Sequence, residues 1–500
     1  MNDFAISDSK ITLLKSKFFV YRIVLYFTFL LIPVWIPKLL EVNALIQTFL
    51  LSLYIVFISG QWYMLGKEVD HRFKIYYKVN SSMDRIIYRS VMGMSLFILY
   101  FGLLSLLPGH ILKHFFWGTW VVLGLFYSWP TRGKIIQESM SSQFGEFRFL
   151  DSFEKTVLGM SVLLFFTSFP EVPKLENIEA LKLYFDPNEV FHDQIWNFLS
   201  VNYFPFRKFP NVYKIAWCLH FYMVAFGLFS FTFYAVLRIF LSRRLAVLGV
   251  FALLSSWSIS KIFSVDYTAA FKTGYCIVWV WSLMWITKSS TYRSGLFAGI
   301  VHFYGAVISP VYFFLYPIYF GTLYFLLLKE KTVWFKKQVL KYSVFGFLLA
   351  CFTFVTNTEA LSNLQSLSLG ELSAEFIRLL DRKAFFSLSI FGLLLLVVNE
   401  WIFKKKNLEL VNLNRDKQKE LYLAVLTLTV GGLIWDRSLV SNFSLMWIVA
   451  FLSLIPLEWI FQSISRFRSR RNMIYVIYIL ICLLDSHFEG RIKIIAKLLE

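Results

Sequence analysis

The sequence predicts an all-α, polytopic integral membrane protein with about fifteen transmembrane helices. Three observations predict it. Apolar runs of about 20 residues, long enough to cross a bilayer as helices, recur along the chain. Only 16% of the 500 residues are charged and 58% are hydrophobic, whereas a soluble globular protein carries about 25% charge. Lysine and arginine also gather in alternate loops, as a fixed orientation in a membrane requires. Backbone groups in lipid must bond one another, which leaves helices or a closed barrel. The runs are too long and continuous for barrel strands.

In chain order, helices are expected near 18–36, 44–64, 86–107, 111–129, 155–169, 213–237, 245–264, 267–287, 294–309, 311–328, 338–356, 384–403, 420–435, 442–462 and 472–484. Lys10, Lys15 and Lys17 precede the first run much as in a signal peptide. That run is long and lacks a small-residue cleavage site, so it reads as a retained helix. The fifth helix is short, and charge decides for it. With a cytoplasmic N-terminus, the inner segments hold 34 of the 50 Lys and Arg and the outer segments 15, with Lys272 inside a helix. Removing the fifth helix would invert every later span and put the basic loops outside. The C-terminus is then extracytoplasmic. Two parts follow: a four-helix transmembrane module over 1–153 and a second transmembrane module over 154–500.

A net charge of +19 would suggest nucleic acid in a soluble protein. Here the cations lie in short loops, so topology and anionic lipid headgroups account for them, and no nucleic-acid partner is expected. Cys218, Cys276, Cys351 and Cys482 fall within apolar runs without metal spacing and read as inert buried thiols. His220 and His302 read as hydrogen-bonded core residues.

The longest polar segment, 170–212, falls outside. After Pro170 and Pro173, Leu175–Tyr184 has a partly apolar face suited to lying on the membrane surface. A second helix is expected from Pro187, with Asp186 as N-cap and Glu189 at the third position, a capping box. On it Glu189, His192 and Asp193 stand at i, i+3 and i+4 and share one face. Such a face can accept a proton, orient a hydroxyl or hold a divalent cation. Plainer readings stand beside this one. Asp186 and Glu189 can be a helix cap and its partner, and His192 and Asp193 solvated surface groups. The pattern does not settle any cofactor.

Asn188-Glu189-Val190-Phe191-His192 resembles the Asp-Glu-x-[Tyr/Phe]-His motif of GT-C superfamily membrane glycosyltransferases, of the protein O-mannosyltransferase and aminoarabinose-transferase kind. In that family the motif lies in the first large extracytoplasmic loop. Leu241-Ser242-Arg243-Arg244, the apolar run after it, Ser255 to Lys261, and Val265-Asp266 are similar to the family's basic cytoplasmic turn, helix and outer turn. Gly295-Leu296-Phe297-Ala298-Gly299 resembles its next glycine-containing helix. The resemblance covers about 155–330.

It implies a GT-C-like bundle that transfers a hexosyl-type sugar from a polyprenyl-phosphate-linked donor to an acceptor at the extracytoplasmic face. A bacterial inner membrane is the setting it suggests, with endoplasmic reticulum the alternative. Lipid-linked donor and membrane lipids are the expected partners. Glu189 and Asp186 are then the catalytic candidates, because the acceptor hydroxyl must lose a proton as the anomeric carbon becomes oxocarbenium-like. His192, Asp193, Lys261, Asp266, Arg207 and Lys208 are the substrate-binding candidates, with the cations suited to the leaving phosphate.

The chain also departs from the pattern. Asn188 stands where the family has the aspartate most often assigned to catalysis, Lys261 replaces an arginine, and the common soluble C-terminal domain is absent. Two other classes therefore stay open: a transporter or lipid-linked-sugar flippase, and a non-catalytic protein derived from the same fold. Ion-coupled carriers bury several ionisable residues at mid-membrane, and this chain offers few.

Overall fold

The computed structural model describes residues 19–32, 44–73, 82–104, 109–128, 150–166, 223–255, 267–288, 291–308, 311–321, 331–356, 383–399, 445–464 and 470–484, with a few positions between them. The described residues are helical and include no strand. The fold is all-α. They fall into two compact units, one drawn from Met1–Glu68, Asn80–Leu150 and Leu175–His220, the other from Val69–Val79, Asp151–Lys174 and Phe221–Glu500.

The first unit holds α1 (Phe19–Ile32), most of α2 (Ala44–Phe73), α3 (Ser82–Leu104) and α4 (Gly109–Ser128). Helix α2 continues well beyond the expected end near 64, through Lys67, Glu68 and Asp70. No proline stops it, and Gly66 serves packing: a Cβ there would run into the Arg89 backbone of α3. One turn earlier Trp62 meets Gly93, so α2 and α3 run antiparallel with their backbones in close approach. Trp120 of α4 is the centre of an aromatic cluster with Phe57, Phe97 and Phe116, and Tyr26 donates to its carbonyl at 3.0 Å. A Tyr100–Thr119 hydroxyl pair at 2.7 Å ties α3 antiparallel to α4.

The second unit holds α5 (Ser152–Phe166), a π-helical turn at Ala225–Phe229 leading into α6 (Ser230–Phe240), then α7 (Arg243–Ser255), α8 (Tyr267–Lys288), α9 (Ser294–Ile308), α10 (Val311–Gly321), α11 (Val333–Thr356), α12 (Lys383–Val398), α13 (Leu445–Ser463) and α14 (Arg471–Leu484). Small residues let its helices touch backbone to backbone, as tightly packed membrane helices do. A Cβ on Gly299 of α9 would lie 2.9 Å from the Gly346 Cα of α11, and Gly295 faces Val339. These pairings rise together along both chains, so α9 and α11 are parallel. The same holds for α12 and α13, where Ser389 Oγ donates to Val449 O at 2.9 Å and Gly392 packs on Leu452 and Pro456.

Several helices turn apolar residues outward. On α14 the exposed residues Met473, Val476, Ile477, Leu480 and Leu484 form one stripe, while Tyr475, Tyr478, Ile479 and Cys482 are buried behind them. On α12 Ile390, Leu393, Leu394 and Val397 are exposed, and on α5 Leu163 is 65% exposed. Among the described residues, Phe49–Arg72 is the one helix long and apolar enough to cross a membrane by length and composition. Shorter apolar helices include Gly274–Ile286, Ser387–Val398, Trp447–Ser463 and Arg471–Leu484.

Candidate functional site

Glu189, Asp186, His192, Asp193, Arg207, Lys208, Lys261 and Asp266 all lie outside the described residues. What the structure describes is the set of helices leading to those segments. The segment 170–212 follows α5, and Lys261 and Asp266 stand between α7 and α8. At about 1.5 Å per residue, the 15 residues of α5 span roughly 22 Å.

A charged clasp holds the starts of α5 and α7 together. Asp151 caps α5: its Oδ1 accepts the Glu154 amide at 2.8 Å, and Glu154 Oε2 accepts the Asp151 amide at 2.9 Å. This reciprocal capping box satisfies two amides that the helix leaves open. Both carboxylates have a second task. Arg243 Nε donates to Glu154 Oε1 at 2.7 Å, and Arg244 reaches Asp151 Oδ2 through Nε at 2.8 Å and through a terminal nitrogen at 2.6 Å. The Glu154 side chain has no exposed surface, so the arginine supplies the counter-charge that burial demands. Arg244 extends the clasp to α14, donating to Asn472 Oδ1 at 3.3 Å. Its guanidinium also lies over the Phe153 ring, which packs on Tyr475.

Burial pushes the Asp151 carboxyl up, but the Glu154 amide and the Arg244 and Arg243 guanidinium groups together hold its pKa below the ordinary value. The bond to Glu154 raises that of Arg243.

A second polar cluster is buried where α8, α9 and α10 meet. Trp279 Nε1 donates to His302 Nε2 at 3.3 Å, and the Tyr316 ring stands edge-on to that imidazole at 4.8 Å. Tyr316 donates to Ser343 O at 2.7 Å. Tyr275 donates to Val301 O, and Cys276 Sγ meets the Tyr312 hydroxyl at 3.0 Å. His302 is thus a bonded core residue, as expected from sequence. In the first unit His220 is buried with its ring against Trp62. Among the described residues no three His, Cys, Asp or Glu side chains lie together as metal ligands.

Local sequence does not single out Asp151, Glu154 or Asn472, although Asp151-x-x-Glu154 before an apolar run has the same capping-box spacing as Asp186 and Glu189. Arg243 and Arg244 show in the sequence only as a basic turn. No family model, curated protein or solved structure gives a significant match to the chain.

Proposed function

We propose that this chain is an integral membrane glycosyltransferase of the GT-C kind, moving a sugar from a polyprenyl-phosphate carrier to an acceptor on the extracytoplasmic side. The clasp is the observation that carries the reading. It joins the starts of α5, α7 and α14, and each start belongs to a segment that the charge distribution assigns to the cytoplasm. The candidate segments follow the other ends of α5 and α7, which the same assignment places outside, where a carrier-linked donor would be met. Two further facts support a membrane setting: stripes of exposed apolar residues on α12 and α14, and helix crossings through glycine. Water would penalise such stripes, and lipid would cover them.

In this reading Glu189 or Asp186 takes the acceptor proton. Lys261, Arg207 and Lys208 are the cations available for the departing phosphate. His192, Asp193 and Asp266 orient the substrate. The span count of about fifteen and the bacterial inner membrane belong to the same proposal.

The test is sugar transfer by the reconstituted full chain from polyprenyl-phosphate-linked hexose, comparing wild type with Glu189→Gln and Asp186→Asn. Loss of transfer in at least one variant, with membrane expression intact, is the expected result. Full transfer in both would sink the catalytic loop. Movement of the lipid-linked sugar across liposomes by a variant lacking the loop carboxylates would favour a flippase.

A further inference from the structure

We propose that the clasp end of the second unit is a binding site for an anionic phospholipid, with the headgroup phosphate on Lys155, Arg470 and Arg471 and an acyl chain lying along the outer face of α14. The proposal rests on the membrane reading above but not on sugar transfer.

The charges around the clasp do not balance. Beside the Arg243–Glu154 and Arg244–Asp151 pairs, Lys155 follows Asp151 by one turn on α5, and Arg238 stands in the last turn of α6 just before α7. Arg470 and Arg471 open α14 next to Asn472, which Arg244 reaches, and Glu458 faces Arg471. Arg243 and Arg244 are already held by Glu154 and Asp151, and Glu458 accepts a hydrogen bond from Gln462 at 2.7 Å. Lys155, Arg238, Arg470 and Arg471 are exposed, and none of the four forms an ion pair among the described residues. Arg471 is steadied over the Phe461 ring at 5.6 Å. Arg238 donates to Leu241 O at 3.2 Å and Arg471 faces the charge of Glu458, so among the described residues Lys155 and Arg470 are the cations left for an external anion, with Arg471 beside them.

The shape below them selects the kind of anion. The exposed stripe on α14 starts at Met473, one turn after Arg470, and continues through Val476, Ile477, Leu480 and Leu484. Leu480 is 52% exposed and Leu484 82%. At about 1.5 Å per residue the stripe is roughly 16 Å long, close to half of the ~30 Å hydrocarbon core. That is the depth of one leaflet. A nucleic acid or acidic peptide would match the cations and leave the stripe in water. A neutral lipid would cover the stripe and leave the cations unmatched. An anionic phospholipid does both.

The experiment uses the purified full chain in neutral detergent, titrated with phosphatidylglycerol, phosphatidylcholine or inorganic phosphate, following thermal stability and lipid retention by native mass spectrometry. Phosphatidylglycerol should bind and stabilise, whereas phosphatidylcholine and free phosphate should not. Each neutralised cation near a membrane surface weakens binding about fivefold, so Lys155→Gln with Arg470→Gln should raise the half-saturating phosphatidylglycerol concentration roughly 25-fold. The charge-keeping pair Lys155→Arg with Arg470→Lys should leave it near wild type. If the double variant folds poorly, Lys155→Gln alone should shift the midpoint about fivefold. Equal stabilisation by phosphatidylcholine, an effect of phosphate alone, or unchanged binding in the glutamine variants would overturn the site. A chain released from membranes by alkaline carbonate would instead overturn the membrane reading, and the site with it.

Discussion

The Glu154 carboxylate has no exposed surface, and Arg243, 89 residues further along the chain, donates its Nε to it at 2.7 Å. This bond fixes the start of α5 against the start of α7. A buried carboxylate without its cation is costly, and hydrogen bonds to charged groups contribute about 1.5–3 kcal/mol. Arg243→Ala should therefore lower stability by roughly that amount, read as an earlier thermal unfolding midpoint in detergent. The exchanged pair Glu154→Arg with Arg243→Glu should recover only part of the loss. It restores the attraction but removes the acceptor for the Asp151 amide. Full recovery would show that the capping box contributes nothing.

Acid should open the same clasp through Asp151. Its folded pKa is held below the ordinary value of about 3.8. The carboxylate therefore contributes stability that is fully present above that value, and the contribution is lost as pH falls through the lower folded pKa. Melting curves taken from about pH 5 down to about pH 3 should show a falling midpoint. In Asp151→Asn that acid-side slope should be shallower, because one proton fewer is taken up on unfolding. An unchanged slope would remove Asp151 from the acid response.

The apolar runs made the helices legible, but not their limits. Hydropathy places the start of α11 near 338 because Lys336 and Lys337 interrupt the pattern. The helix begins at Val333, where Thr332 Oγ1 accepts the Phe335 amide at 3.3 Å. In the same way α2 outruns its apolar segment through Lys67, Glu68 and Asp70, of which Lys67 and Asp70 are buried, so packing and not hydropathy sets its end. Partners were harder to read. Nothing local to Gly299 names Gly346, and Arg243 in a basic turn does not announce Glu154. Such pairings are set by tertiary packing. The reading of Glu189 and its neighbours stands as the sequence left it, since those residues lie outside the described ones.

Glycines of the second unit should divide sharply by what surrounds them. A Cβ on Gly346 would fall within the Gly299 backbone, whereas a Cβ on Gly159 of α5 meets nothing within 4 Å. Gly346→Ala should force α9 and α11 apart and cost about 1–3 kcal/mol. Gly159→Ala should be neutral or stabilising by up to about 1 kcal/mol, since alanine is the better helix former. Thermal unfolding of the two variants side by side checks this. Equal tolerance would mean that the α9–α11 crossing is looser than its backbone approach implies.

Orientation can be tested without knowing any substrate. The clasp brings the starts of α5, α7 and α14 together, and the orientation proposed from the charge distribution puts them in the cytoplasm. Ser242, exposed beside Arg243, should then face the cell interior, and Asn197, in the long polar segment, the exterior. Single-cysteine variants Ser242→Cys and Asn197→Cys, built on a chain whose four native cysteines are replaced by serine or alanine, can be probed in intact cells with a membrane-impermeant maleimide. Asn197→Cys should label at once, and Ser242→Cys only after permeabilisation. The opposite pattern would put the carboxylates of 186–193 in the cytoplasm and the basic turn at Arg243 and Arg244 outside. No donor presented outside could then reach them.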